Sequence, residues 1–207
     1  MKIVVGLGNP GVKYETTRHN VGFLAADRLI ERWGAQGPQR KFDAEIFVTE
    51  FQGEKVLIAK PQTFMNLSGK CVGPLAEFHK CAPEDLIVLH DELDLEPFTI
   101  RVKTGGGTAG HNGLKSIDSS LGAAKNGYHR IRIGIGHPRS QSSEQSQSAM
   151  RPVADYVLDL FSDQELSKLD PLLDSIAEAV ELLLSGQAKR AMDRFNNAPG
   201  NVTKLTK

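Results

Sequence analysis

Lys2 to Leu7 is a short β-branched and apolar run that ends in Gly8-Asn9-Pro10-Gly11. A run of this kind, bounded by turn formers, reads as a buried strand followed by a tight loop. Beyond the loop the period changes. Val21, Leu24, Ala25 and Leu29 recur at helical spacing until Gly34 stops them, which indicates an amphipathic helix. Asp43 to Phe51 and Lys55 to Lys60 flank Gln52-Gly53 and read as a β-hairpin. Leu67 to Lys80 has the pattern of a second helix, which Gly73-Pro74 should bend or interrupt. Leu86 to Leu89 is a purely apolar strand, whereas Phe98 to Lys103 and Arg130 to Ile135 alternate as half-buried strands do. Ser162 with Glu165 makes a capping box for a long helix to about Ser185, with a kink expected at Pro171. Strands mixed with helices, plus one hairpin, indicate an α/β domain whose mixed sheet is covered on both faces.

The chain has 207 residues, 40% of them hydrophobic and 24% charged, an ordinary composition for one sizeable domain. No apolar run approaches the roughly 20 residues needed to span a bilayer, so no membrane partner is expected. Met1 to Val5 runs straight into the strand without a cleavage pattern, so no secretory leader is expected either. Cys71 and Cys81 have neither Cys-x-x-Cys nor metal-ligand spacing, which suits a reduced cytosolic compartment. Formal net charge is zero, so any nucleic-acid contact has to be a local patch on a neutral body. Ser140 to Ser148 is almost all Ser and Gln and is expected to be a mobile surface loop. Nothing points to a second domain or an internal repeat.

In open α/β sheets the functional crevice lies outside the carboxyl ends of the strands. Asn9 follows the first strand, Asp91 follows Leu86 to Leu89, and Asn66 follows the strand ending near Lys60. His19 lies in the loop before the first helix, and Asn112 ends the loop from Gly105 to His111. His can abstract a proton near neutrality, and a carboxylate on its other ring nitrogen fixes the tautomer and stabilises the imidazolium. Asn amides can hold a water or a carbonyl and stabilise a developing oxyanion without adding charge. No Gly-x-Ser-x-Gly elbow occurs and neither cysteine has a nucleophile's context, so water activated by His is the simplest hydrolytic mechanism. Plainer roles exist for the same residues: Asn66 also suits a helix cap, Asp91 a turn, and the three glycines from Gly105 a bulge. His90 and His111 flank Asp91 and Asn112, yet no two histidines sit at ligand spacing on one helix, so no metal is expected. Gly6-Leu7-Gly8-Asn9-Pro10-Gly11 formally matches the dinucleotide fingerprint. Pro10 lacks an N–H, however, and the helix begins only at Val21, which argues against pyrophosphate binding.

With these residues in place a family resemblance becomes visible. Gly6 to Gly11, Tyr14 and Thr17-Arg18-His19-Asn20 resemble the opening signature of bacterial peptidyl-tRNA hydrolases. Phe64 to Gly69, His90 to Asp94, Gly110 to Leu114 and Arg130 to Pro138 match four further signatures in order, from Lys2 to about Asn196. The resemblance implies a single-domain, three-layer α/β/α fold with a mixed twisted β-sheet over residues 1–196. The Ser/Gln-rich stretch, with bounds 139–151, and the tail at 197–207 depart from the family's pattern; the first is expected to be a flexible loop and the second solvated. The resemblance also implies hydrolysis, without a cofactor, of the ester joining a peptide to the 3′ ribose of tRNA, by a cytoplasmic monomer. It assigns His19 as the base, Asp91 as the group that keeps it basic and oriented, and Asn9 as the discriminator of N-blocked substrates. Tyr14, Phe64, Asn66 and Asn112 would contact the peptidyl-adenosine end, and Lys103, Arg132 and Arg130 the tRNA phosphates. Arg130 and Arg132 share a strand face by the period of two. Arg139 and Arg151 are the only basic residues of the Ser/Gln-rich region before the stretch resembling the family's lid. Two alternatives stand beside this reading: a non-catalytic RNA-binding protein on the same fold, and a nucleotide-dependent oxidoreductase resting on the glycine fingerprint.

Overall fold

The computed structural model describes residues 1–138 and 152–197. The Ser/Gln-rich stretch with Arg139 and Arg151, and the tail beyond Asn197, lie outside the described residues. The opening run forms β1 (Lys2–Gly6). It is followed by β2 (Gln36–Lys41), β3 (Ala44–Phe51), β4 (Glu54–Pro61), β5 (Leu86–Glu92), β6 (Ile100–Thr104) and β7 (His129–Gly134). They build one mixed seven-stranded sheet in the order β2-β3-β4-β1-β5-β7-β6. The four middle strands β4, β1, β5 and β7 are parallel, and antiparallel pairs flank them. Alternate residues of each middle strand feed two separate cores. Val4, Ile87 and Leu89 pack with α1 (Val21–Arg32), α5 (Asp163–Leu184) and α6 (Ala188–Asn196). Ile3, Val5, Leu86 and Val88 pack with α2 (Gly69–Phe78) and α3 (Asn112–Leu121).

β1 has β4 on one side and β5 on the other. The chain leaves β1 toward β4 and then returns across it to β5, so the carboxyl ends of β1 and β5 flank a topological switch point. Gly6 is level with Leu89, and the Leu7 amide donates to the Leu89 carbonyl at 3.0 Å. Asn9 and Asp91 therefore emerge at the same end of the sheet.

The glycines of the opening loop serve packing. A Cβ on Gly6 would lie 2.3 Å from the Gly22 carbonyl oxygen, and one on Gly8 would lie 2.6 Å from the Phe23 ring. A Cβ on Gly22 would lie 2.5 Å from the carbonyl oxygens of both Leu7 and Leu89. These residues let α1 rest directly on β1 and β5, and only Gly11, at φ 107°, is required by its backbone conformation. Gly6 and Gly8 are packed directly against the first turn of α1, which leaves no space for a pyrophosphate there, and the oxidoreductase alternative loses its support. Gly22→Ala should lower the unfolding free energy by about 1–3 kcal/mol, because backbone carbonyls cannot step aside. An unchanged urea midpoint would show that α1 does not approach so closely.

Several elements differ from expectation. The second helix is continuous across Gly73-Pro74, although Pro74 is the sixth of its ten residues and withdraws one donor. Gly69 and Gly73 bring α2 close to α3: a Cβ on Gly69 would lie 2.1 Å from the Ser116 carbonyl oxygen. The capping box of α5 is formed in both directions, and the helix runs through Pro171 as one element. β2, α3 and α6 carry few apolar residues and α4 (Val153–Val157) is only five residues long, so the pattern announces none of them. β2 is wholly exposed and is held by its pairing with β3 at the sheet edge, where Pro and charge are tolerated. No helix among the described residues is long and apolar enough to cross a membrane.

Candidate active site

His19 belongs to a turn, Arg18–Asn20, that leads directly into α1. Its Nδ1 lies 2.8 Å from Asp91 Oδ1, the strand-end carboxylate of β5. Asp91 is buried and ionised, so Nδ1 carries the proton and donates, which leaves the lone pair on Nε2. Burial alone would lower the basicity of His19. The charge of Asp91 and the hydrogen bond to it outweigh that loss and raise the pKa above the ordinary 6.5. Burial would likewise raise the Asp91 carboxyl, and the two imidazoles on it hold it far below the usual carboxylate range.

The loop bearing His19 is clamped at both ends. Asn20, buried, accepts from the Asn9 amide at 2.8 Å and donates to the Asn9 carbonyl at 3.0 Å. Arg18 donates to the Leu160 carbonyl at 2.9 Å and to both oxygens of Glu165 at 2.9 and 3.1 Å. Glu165 is the carboxylate of the α5 capping box, so one residue caps the start of a helix and anchors the His19 turn. The Arg18 amide also donates to the Asp159 carbonyl at 2.9 Å. Nothing in the spacing of Arg18 and Asn20 distinguishes such a clamp from ordinary exposed polar side chains.

Asn9 Oδ1 accepts from the Met65 amide at 2.8 Å. That bond fixes the flip of the side chain and leaves Nδ2 as the free, donating end. Asn66 is exposed and makes no capping bond to α2, whose first residues follow Ser68. The cap reading of Asn66 therefore fails, and its amide is free. Phe64, beside it, is 57% exposed, an aromatic face open to solvent. Asn112 is the first residue of α3 and lines a pocket of about 390 Å³ with His19, Asp91, Glu92, His111, Val153 and Val157, among others. Tyr14 sits half-buried in the loop ahead of His19, with the Lys13 ammonium 4.7 Å from its ring centroid.

The basic patch is smaller than the strand period suggested. Arg130 is 2% exposed, and its guanidinium donates to the carbonyls of Gly107, at 2.9 Å, and Gly105. The expectation that Arg130 meets phosphate is corrected: the glycine loop folds over the side chain and takes donors from both of its terminal nitrogens. Arg132 remains partly exposed and donates from Nε to Glu92 Oε2 at 2.9 Å. With Arg101, Lys103 and Thr104 it lines a groove of about 380 Å³. Glu92 also lines the His19 pocket, so pocket and groove adjoin across the Glu92–Arg132 pair.

His111, considered in the sequence only as a metal ligand, has another part in the site. Its Nε2 lies 2.9 Å from the same Asp91 oxygen that His19 uses, and its Nδ1 accepts from the amides of Gly113 and Leu114 as the N-cap of α3. Histidine is not among the preferred capping residues, so the helix start gave no signal. The ligand atoms of His19, Asp91 and His111 lie within 4.8 Å of one another. A metal there would need the His111 Nε2 lone pair, which exists only if the proton moves to Nδ1, against two backbone N–H donors. The donor set does not suit a cation. The cysteines are unsuited to nucleophilic work, since burial pushes Cys71 up to about 12 and Cys81 up to about 11.

Residues 3–203 match the family described as Peptidyl-tRNA hydrolase. The peptidyl-tRNA hydrolase of Rhodospirillum rubrum is 46% identical over 194 residues, which are 94% of this chain and 75% of that relative. That of Brucella ovis is 44% identical over 211 residues, covering 98% of this chain and 81% of the relative. The crystal structure of peptidyl-tRNA hydrolase from Acinetobacter baumannii aligns with a TM-score of 0.84 at 39% identity, covering 97% of this chain and 96% of that one. By sequence and by fold, this chain belongs to the peptidyl-tRNA hydrolase family.

Proposed function

We propose that this chain hydrolyses the ester between a peptide and the 3′ ribose of tRNA, with His19 Nε2 as the base that activates water. The observation that carries this reading is the 2.8 Å bond from His19 Nδ1 to Asp91, at the wall of a pocket that adjoins a basic groove. His19 Nε2 takes a proton from water as its oxygen attacks the ester carbonyl. The imidazolium, held against Asp91, then returns that proton to the departing ribose oxygen, and no cofactor is needed. The Asn9 Nδ2 donor pairs with the carbonyl of an N-blocked or peptidyl substrate. A free α-ammonium in that place offers only donors and is left unpaired, which accounts for discrimination between the two. Asn66 and Asn112 hold the peptidyl ester, and Phe64 and Tyr14 offer aromatic faces to the terminal adenosine. Lys103 and Arg132 take phosphates of the acceptor end. One chain supplies every group named, so a monomer suffices, and translation places its substrate in the cytoplasm. The non-catalytic alternative has no support in a site where base, carboxylate and pocket are assembled together.

The test is hydrolysis of N-acetyl-aminoacyl-tRNA against the unblocked form. Rapid release from the former and slow release from the latter is the expected result, and equal rates would refute the role of Asn9. Arg132→Ala should weaken tRNA binding and reduce the salt slope of log K by about 1. Arg130→Ala should mainly lower stability, since it frees the glycine-loop carbonyls. Titrations at several salt concentrations separate the two.

A further inference from the structure

Asp91 Oδ1 accepts from two histidines at once, at 2.8 Å from His19 and 2.9 Å from His111, and the two differ in what holds their other nitrogen. His111 Nδ1 faces the amides of Gly113 and Leu114 at 3.1 and 3.3 Å, so it must accept and the ring proton must stay on Nε2. A second proton on Nδ1 would point at two N–H donors and at the positive end of the 10-residue helix α3. His19 has no such constraint on Nε2. We infer that His111 is a positioning residue: its Nε2–H, fixed by the start of α3, shares the Asp91 oxygen with His19 and thereby limits how tightly that carboxylate holds the His19 imidazolium. The inference rests on His19 being the base.

The reason such a device is useful lies in the demands on a general base. A carboxylate alone on an imidazole makes it more basic, and too strong a hold keeps the ring protonated at neutral pH, where it cannot take a proton from water. A neutral donor on the same oxygen spreads the carboxylate's charge over two hydrogen bonds and weakens each. The other charged and titratable groups facing His19 do not perform this task. Glu92 lines the pocket but is paired with Arg132, and the Arg18 guanidinium is turned to Glu165. α4 contributes only Val153, Ala154 and Val157 to the pocket wall. His90 lies behind His111 at a ring distance of 5.0 Å, and burial pushes it down to about 3, so it adds no charge.

His111→Asn separates capping from sharing. Asn accepts from the same two amides and preserves α3, but it is too short to reach Asp91. Its melting temperature should stay near that of the parent. At neutral pH kcat on N-acetyl-aminoacyl-tRNA should fall by about threefold to at most tenfold, KM should change little, and the acid limb of kcat should move up by roughly half to one pH unit. His111→Ala should show the same limb shift together with a lower melting temperature. Nitrogen-15 NMR of the parent should find His111 protonated at Nε2 and bare at Nδ1. An unmoved limb in His111→Asn, or a proton on Nδ1, overturns the inference. Retained activity in His19→Ala overturns instead the reading of His19 on which it rests.

Discussion

His19→Ala should lower turnover of N-acetyl-aminoacyl-tRNA by about 10²–10⁴-fold, the usual worth of a positioned general base. The loss should fall on kcat, because the side chain meets the water and not the bulk of the substrate. Folding should survive. His19 is half-buried on a turn held by Asn20 and Arg18, and its own side chain adds one hydrogen bond, to Asp91. In the parent enzyme, activity should decline on the acid side along a limb lying above 6.5, since the His19 pKa is raised and only the unprotonated ring works. Single-turnover rates over a pH series check both statements. A His19→Ala enzyme with near-normal kcat would remove the base from the mechanism.

The sheet and the positions of Asn9 and Asp91 were legible because strands announce themselves by period and functional side chains cluster where strand order reverses. Ser162-x-x-Glu165 was legible as a helix start, but not as the anchor of the His19 turn, since that bond joins residues 147 positions apart. Arg130 shows the limit of periodicity. Its face was read correctly, yet nothing local indicates that a glycine loop closes over it. α3 shows another limit: its buried residues are only Gly113, Leu114 and Ile117, and its cap is a histidine. The glycines of the opening loop match a dinucleotide fingerprint by spacing, with Pro10 standing where that motif needs an N–H. That they make room for α1 depends on a helix packing angle that no motif states.

Asp91→Asn is the most informative change after His19, because it preserves shape and removes charge. With its amide oxygen toward the two rings, both hydrogen bonds survive and the imidazolium loses its counterion. Turnover should fall by about 10²–10⁴-fold, as when a triad carboxylate becomes an amide. The acid limb of the residual activity should move down, opposite in sign to the shift expected for His111→Asn. Stability should report the same charge. The Asp91 carboxyl is depressed in the folded state, so its contribution is present above its unfolded pKa of about 3.9 and is lost as pH falls below that. Asp91→Asn should therefore be less stable than the parent at neutral pH. The gap should first widen on mild acidification, because His19, raised by Asp91, takes up its proton more readily in the parent, and should narrow only below about 3.9, where the unfolded carboxyl protonates. Urea denaturation near pH 7, pH 5 and pH 3 measures both limbs. Opposite limb shifts in the two variants would place the control of His19 basicity on the single oxygen that both histidines share. Shifts of the same sign would mean that His111 acts on His19 by some other route than Asp91.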